Sequence, residues 1–445
     1  MMRFVTMPKL LSALLLGASF AAGPAAAADI LQVYRDALAN DQQYAAARAT
    51  AEAAREKIPQ GLSGLLPVLS ASANTVWNEN KYSPDNQPRI DRDFNTNAYN
   101  VNLTQPLFRW QNYVQYGQAK WQVVQAEANF AQASQDLILR VAQAYFDVLF
   151  AIENLKAVRA NKDAIAQQLE QAKKNFEVGT ATITDSQEAQ SRYDLANAQE
   201  IAAESDLDVR RYALRVIVGR NPGELNSLKP SAELRPPQPA GMERWVDAAE
   251  KDSFTVQAQQ AATEFATMEV ERLRAGHYPT VDVVANYGNS NSALGFDSRV
   301  GTDMRNIGLQ LNIPLYQGGL VSSRVREAVA NRVVAEATLE NAKRTAALNS
   351  QQSFLGVVNG LAQVRALDAA LISSTSALES NKLGYEVGVR INIDVLNAEQ
   401  QVYVTKRDLA KARFDTLLSQ LKLKAAIGSL SEADLEQINP LFEAP

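Results

Sequence analysis

The sequence predicts an α+β membrane protein in which two tandem repeats each contribute a β-hairpin and a set of long coiled-coil helices. Three observations predict this fold. Four segments alternate apolar with small polar residues, as membrane-spanning strands do. Two proline-free stretches of good helix formers are long enough for helices of roughly 100 Å. A turn sequence, aromatic–Glu–Val–Gly with an Asp six residues after the Gly, occurs at 176–185 and again at 385–394.

The N-terminal segment of this 445-residue chain is typical of a secretory leader. Arg3 and Lys9 precede an apolar run, and a string of alanines ends at Ala28. The alternative, a membrane anchor, requires roughly 20 apolar residues, and this run is shorter. We therefore expect residues 1–28 to be a signal peptide. We expect no later apolar stretch to be long enough for a transmembrane helix.

Composition excludes several classes of function. The net charge is −5, so the basic surface by which proteins hold nucleic acid is not indicated. The chain has no cysteine, so an exported protein of this sequence depends on packing or assembly for stability. The sequence contains no nucleophile elbow, metal-ligand cluster or phosphate loop, which argues against an exported hydrolase. We expect neither enzymatic activity nor a cofactor, and we interpret the single histidine, His277, as structural.

The first predicted repeat covers residues 29–220. A predicted helix over 29–61 is followed by a period-two alternation over 67–106, which predicts a hairpin that ends at Pro106. Each strand would have about 10 residues, enough to span a bilayer when tilted. A soluble β-sandwich is the alternative, but sandwiches contain many closely spaced strands. Long predicted helices then lead into and out of a turn at 177–185.

The second predicted repeat covers residues 245–428 and has the same order. A helix over 245–275 precedes a hairpin at 279–314, and long helices flank a turn at 386–394. The repeats are joined by a connection at 221–244 that is rich in proline, and a tail at 429–445 follows the second. Equivalent landmarks lie 209 residues apart, which indicates a duplication: Gly179 and Gly388, Asp185 and Asp394, Gly219 and Gly428.

Four strands cannot close a barrel, and an open sheet edge in lipid leaves backbone groups unpaired. The chain must therefore pool its strands with copies of itself. Two chains would supply about 8 strands and three about 12, and both numbers occur in membrane barrels. The periodicity alone does not choose between them.

With these elements in place, the sequence resembles the TolC family of outer-membrane exit ducts over essentially its whole mature length. The resemblance is carried by the two turns and by the segments 275–280 (AGHYPT) and 314–319 (PLYQGG) that flank the second hairpin. It implies a homotrimer in the outer membrane, with a 12-strand barrel continued by a helical periplasmic tunnel. The connection at 221–244 and the tail at 429–445 would form an equatorial region around that tunnel.

The resemblance also implies a function. Such a duct exports drugs, toxic small molecules or proteins, the latter by type I secretion. It works with an inner-membrane transporter and a periplasmic adaptor, and nucleic acid is not a partner. The alternative is a structural coiled-coil or adaptor protein of the periplasm without a pore, against which the four alternating strands argue.

The family keeps the tunnel shut at the two turns, and its gate residues match positions of this chain. By resemblance, Tyr385 should bond to Asp185, and Arg390 should reach Thr184 and Asp185. An arginine–carboxylate pair gives directed, charge-assisted hydrogen bonds, although exposed pairs contribute little energy. The alternative is that Arg390 and Asp185 are ordinary solvated charges at helix ends.

Asp394 is the candidate for a pore constriction. Three symmetry-related copies would form an acidic ring, as in cation-selective pores, whereas the alternative assigns Asp394 to the N-cap of its helix. The family pattern has a second aspartate three residues later, where this chain has Asn397. This difference halves the predicted charge of the ring, and Asn397 would then only narrow the pore.

Overall fold

The structure is a computed structural model that describes residues 28–83, 85, 88–180, 182–292 and 300–444. The predicted signal peptide therefore lies, except for Ala28, outside the described residues. The first half contains α1 (Ile30–Asn40), α2 (Gln42–Arg55), α3 (Lys57–Ser63), β1 (Val68–Tyr82), β2 (Ile90–Phe108), α4 (Trp110–Glu177), α5 (Ile183–Val218) and β3 (Ser227–Leu228). The second half contains α6 (Met242–Asp252), α7 (Phe254–Arg274), β4 (Thr280–Ser292), β5 (Val300–Asn312), α8 (Leu320–Glu386), α9 (Asn392–Ala426), α10 (Glu432–Ile438) and β6 (Phe442–Glu443).

The predicted order of helix, hairpin, long helix, turn and return helix occurs in both halves. Helices α4 and α8 have 68 and 67 residues, so each is roughly 100 Å long, as predicted. The predictions of single helices over 29–61 and 245–275 were wrong, because each of these segments is interrupted. Asp41 adopts an extended conformation between α1 and α2, where its side chain caps α2, and Ser253 has an extended ψ between α6 and α7.

The two hairpins join into one antiparallel sheet in the order β1-β2-β4-β5. Strand β2 of the first repeat pairs with β4 of the second, so the hairpins of the two repeats lie side by side in one sheet. Within the described chain the outer edges of the sheet belong to β1 and β5. These two edges are the ones that a further copy would have to pair.

The strands are longer than predicted. They contain 15, 19, 13 and 13 residues in chain order, compared with the expected 10 or so. Pro106 does not end β2, because the strand continues to Phe108 through a register shift between these two residues. A proline lacks the backbone N–H needed for a regular ladder and is tolerated at such an irregularity.

In the middle of the sheet the two faces differ in chemical character, as the alternation predicted. One row of cross-strand neighbours is apolar on all four strands: Leu69, Leu103, Ala285 and Ile307. The row displaced by one residue is polar on all four: Ser70, Asn102, Asn286 and Asn306. Leu69 and Ile307 are 69% and 79% exposed, so the apolar face is uncovered in the single chain.

The main core lies at mid-height of the long helices. Phe146 of α4 stacks on Phe414 of α9 and on Phe442 of β6, with ring centroids 5.8 and 6.0 Å apart. The Tyr145 hydroxyl donates a hydrogen bond to the Asn226 carbonyl oxygen at 3.0 Å. Strands β3 and β6 pair with each other, which ties the connection after α5 to the C-terminal tail.

The expectation that no later stretch is apolar enough for a transmembrane helix was wrong, judged by length and composition alone. Helix α8 contains an 18-residue window with a mean hydropathy of 1.3, apolar enough to cross a bilayer, and only 11% of that window is buried. The helix is more than twice as long as a membrane span and packs along α9. The exposed apolar residues of α8 are consistent with packing against another helix.

A partly buried ion pair connects the N-terminal helices to α4. Arg140 donates from Nη1 and Nη2 to the two carboxylate oxygens of Asp41 at 2.9 and 3.0 Å. The same carboxylate accepts the backbone N–H of Tyr44 and so caps α2. These bonds, that of Arg140 foremost, hold the pKa of Asp41 below its ordinary 3.8.

This pair predicts a pH-dependent stability. Because the pKa of Asp41 is lower in the folded chain than in the unfolded one, its stabilisation is complete above about pH 4 and is lost as the pH falls through the folded value. In Arg140→Gln we expect a lower melting temperature at pH 6 and a smaller further decrease between pH 5 and 3 than in the wild type. Equal pH dependence in thermal melts of both proteins would contradict this assignment.

Candidate gate at the helix turns

The two turns share a backbone geometry that their sequences explain. Helices α4 and α8 each end before a glycine in the left-handed region, Gly179 with φ 78° and Gly388 with φ 77°. Side chains rarely adopt this conformation, whereas glycine adopts it freely. The N–H of Thr180 donates to the Asn175 carbonyl oxygen and the N–H of Val389 to the Gly384 carbonyl oxygen, which closes both helix ends.

Asp185 is engaged in the start of α5. Its Oδ2 accepts the backbone N–H of Thr182 at 2.9 Å and the Thr182 hydroxyl at 2.8 Å. The Thr182 hydroxyl oxygen in turn accepts the backbone N–H of Asp185, which completes a capping box. The turn thereby holds the Asp185 carboxylate in a defined position beside the exposed Thr184.

Asp394 occupies the equivalent position at the start of α9 but makes a different contact. The N-cap of α9 is Ile391, which has no side-chain oxygen, so the N-cap alternative for Asp394 was wrong. The Asp394 carboxylate instead lies in the first turn, where Oδ2 is 3.6 Å from Nη1 of Arg390. Both side chains are partly exposed, and such pairs contribute little energy by themselves.

Within one chain the predicted latch residues lie at neighbouring turns with the following partners. Arg390 is exposed and pairs with Asp394, whereas the half-buried Tyr385 accepts a hydrogen bond at its hydroxyl oxygen from Asn175 Nδ2 at 3.1 Å. The contacts of Tyr385 with Asp185, and of Arg390 with Thr184 and Asp185, stay predictions.

Asn397 makes a contact that the sequence did not predict. Its Oδ1 accepts a hydrogen bond from Nη2 of Arg192, at 3.1 Å, so the side chain connects α9 to α5. Neither Arg192 nor Asn175 was among the predicted gate residues. The helical pattern of one segment does not reveal which distant helix lies beside it, so no signal in the sequence identified them.

A buried carboxylate lies about half a helical turn further along α9 than this bond. Glu399 of α9 has a side chain that is 4% exposed, with Oε1 3.0 Å from Nζ of Lys382 on α8. Neither Glu399 carboxylate oxygen has a hydrogen bond of good geometry, and Oδ1 of the buried Asn161 on α4 is also unsatisfied. Each helix pair therefore buries a polar side chain with incomplete hydrogen bonding in this part of the molecule.

Within the described part of the chain, no group of three or more His, Cys, Asp or Glu could hold a metal ion. His277 lies in a short 3₁₀ turn, Ala275–His277, that precedes β4. Its structural role stays a prediction.

Known proteins resemble this chain over almost its whole length. The sequence model of the outer membrane efflux protein family matches residues 33–220 and 245–429. Outer membrane protein TolC of Vibrio cholerae is 33% identical over 417 residues, which cover 93% of each protein. The proteases secretion protein PrtF of Dickeya chrysanthemi is 30% identical over 433 residues, covering 96% of this chain and 94% of PrtF. The solved outer membrane channel CmeC of Campylobacter jejuni has a TM-score of 0.79 at 18% identity, over 93% of this chain and 89% of CmeC, which shows a shared fold.

Proposed function

Because this chain belongs to the outer membrane efflux protein family, we propose that three copies of it form one exit duct from the periplasm to the exterior. Its similarity to these homologues indicates an outer-membrane channel for efflux and type I secretion. The four-stranded sheet is the main support for a trimer. Its two rows of cross-strand neighbours are apolar and polar, and its outer edges on β1 and β5 are unpaired within the described chain.

The number of copies follows from the width that a duct needs. A barrel of about 8 strands is just wide enough to be filled by its own side chains, whereas larger barrels leave an aqueous lumen. Two chains would give the filled barrel and three chains the open one of 12 strands. The polar row that contains Ser70, Asn102, Asn286 and Asn306 would then face water, and the apolar row would face lipid.

The helices also carry surfaces that a second copy would cover. Exposed apolar residues follow α5 at Leu195, Val209 and Val216, which are spaced by multiples of seven. Apolar residues at this spacing form the seam of a coiled coil. On α8, Val329, Val333 and Val334 are exposed as well. Neighbouring chains in a trimer would bury these surfaces and continue the barrel as a helical tunnel.

The turns would close the periplasmic end of this tunnel. We assign Thr184, Asp185, Tyr385 and Arg390 to a latch between helix pairs, in which Arg390 reaches Thr184 and Asp185. The exposed position of Arg390 leaves its guanidinium accessible to a neighbouring chain. Asp394 and Asn397 would lie at the constriction, and the pairing of Asp394 with Arg390 would reduce the acidity of the ring that three copies form.

The duct would need partner proteins, because it has no energy source of its own. The chain would catalyse no reaction, so an inner-membrane transporter must supply the energy, and a periplasmic adaptor must connect that transporter to the turns. The apolar face of the hairpins would contact outer-membrane lipid. Relatives named for secretion of proteases support proteins as one class of cargo, and the efflux family supports toxic small molecules as another.

Engineered cysteines test the trimer directly, since the natural chain has none. We combine Ala71→Cys on β1 in turn with single cysteines on β5 from Asp303 to Leu309 and oxidise the protein in detergent. One register should give covalent trimers on a denaturing gel, because β1 of each chain would pair with β5 of the next. Each single-cysteine variant serves as the control. Covalent products that stop at dimers would support an 8-strand assembly, and their complete absence would contradict a closed barrel.

A further inference from the structure

The bond between Arg192 and Asn397 has a location that distinguishes it from an ordinary surface contact. It joins the helix pair of the first repeat, α4 and α5, to the pair of the second, α8 and α9. At mid-height the two pairs share an extensive apolar core that contains the stacked rings of Phe146 and Phe414. Near the turns the apolar core between them shrinks, among the described residues, to a small cluster of Ile165, Ala196 and Leu396. A hydrogen bond from Asn175 to Tyr385 also joins the pairs there.

Close to that cluster the contact is weakened by buried polar groups. Glu399 is 5% exposed and Asn161 is 6% exposed, and both have side-chain oxygens without a hydrogen bond. Buried polar atoms without hydrogen bonds destabilise the packing around them, although Lys382 gives Glu399 a counterion at 3.0 Å. A directed bond at this level therefore has a large share in holding α9 against α5.

Arg192 is suited to this task by its position. It lies one turn from Ala196 towards the tip, and Asn397 directly follows Leu396, so the bond borders the apolar cluster. A hydrogen bond from a guanidinium is charge-assisted and stronger than one between neutral groups. In this chain the bond has an amide as its acceptor, where the family pattern places a carboxylate.

We propose that Arg192 is a gate residue that ties α5 to α9 through Asn397, and that Asn397 acts in this tie and not as a second ring of the constriction. The proposal rests on the proposed function as a gated duct. Breaking the tie allows the α8–α9 pair to move away from the α4–α5 pair at the turns, while the apolar core at mid-height keeps the pairs together.

A double-mutant cycle tests the tie by the fraction of time that single channels in a planar bilayer spend open. Arg192→Ala and Asn397→Ala should each raise this fraction on the order of tenfold, the effect of losing one charge-assisted hydrogen bond. The double variant should exceed neither, because residues that act only on each other are not additive. Arg211→Ala is the matched control, on the same helix but about 28 Å further from the turns. Additive effects, or a wild-type open fraction in Arg192→Ala, would overturn the proposal.

Asn397→Asp separates the tie from the constriction. In the tie, aspartate forms an ion pair with Arg192 and lowers the open fraction, and this effect disappears in the Arg192→Ala background. In the constriction, aspartate instead raises the preference for cations in reversal potentials whether or not Arg192 is present. The second pattern would overturn the proposal.

A distance measurement keeps the test independent of conduction. Spin labels on Gln187→Cys of α5 and Gln401→Cys of α9 report the spacing of the two helices by electron resonance. Arg192→Ala should lengthen or broaden this spacing, and Arg211→Ala should not. An unchanged spacing would overturn the tie. A changed spacing in an oligomer that never conducts would support the tie and overturn the proposed duct.

Discussion

Replacing Arg390 with serine is expected to raise the conductance of single channels severalfold. The reason is that Arg390 would supply charge-assisted bonds to Thr184 and Asp185 in each of three copies. One substitution in the gene removes the bonds from all three copies at once. Each bond is modest, so the closed tip is held by their sum and opens when they are lost together.

Arg344→Ser is the matched control for this prediction. Arg344 also makes an exposed pair, with Glu340 on the preceding turn of α8 at 3.0 Å, but it lies far from the turns. Its loss should leave conductance at the wild-type level. If Arg390→Ser conducts like the wild type and like Arg344→Ser, then Arg390 is an ordinary solvated charge and the latch assignment is wrong.

Arg109→Ala is expected to produce the largest loss of stability. Arg109 lies between β2 and α4 and donates from Nε and Nη2 to the two oxygens of Asp282 on β4, at 2.8 and 2.7 Å. The Asp282 side chain is only 8% exposed. Removing the arginine leaves a buried carboxylate without its counterion, which costs about 3 kcal/mol in comparable pairs. The melting temperature of the purified oligomer measures the effect.

Two further variants isolate the cause. Arg89→Ala removes an arginine from an exposed pair with Asp91 and should change stability by less than about 1 kcal/mol. The double variant Arg109→Met with Asp282→Leu removes both charges and should recover much of the loss, because no unpaired charge stays buried. A double variant as unstable as Arg109→Ala would show that packing, and not the ion pair, accounts for the effect.

Local patterns in the sequence predicted much of the fold, because strand alternation and helix ends depend on residues that are close together in the chain. The period-two alternation identified both faces of the sheet, and the glycines at 179 and 388 identified both turns, since a left-handed residue is required there. The helix interruptions at Asp41 and Ser253 were missed, because both stretches keep good helix formers on either side. The extension of β2 past Pro106 was missed because a bulge accommodates a proline that normally ends a strand.

The partners of the gate residues were less predictable for a physical reason. Asp185 and Asp394 occupy equivalent positions, yet Thr182 captures the first in a capping box, while Ile391 has no hydroxyl to do the same for the second. The bond of Arg192 with Asn397 depends on which helices become neighbours in three dimensions. Such contacts follow from packing of the two repeats, and a single sequence does not specify that packing by its periodicity.

We expect copies of this chain to form a conduit across a membrane that is nearly shut at the helix turns. Single-channel conductance of the purified wild-type oligomer in a planar lipid bilayer is the decisive test. We expect discrete conductance steps of low amplitude, because the lumen would be continuous but narrowed at Asp394 and the latch. Folded, inserted oligomers that show no conductance steps would contradict the conduit.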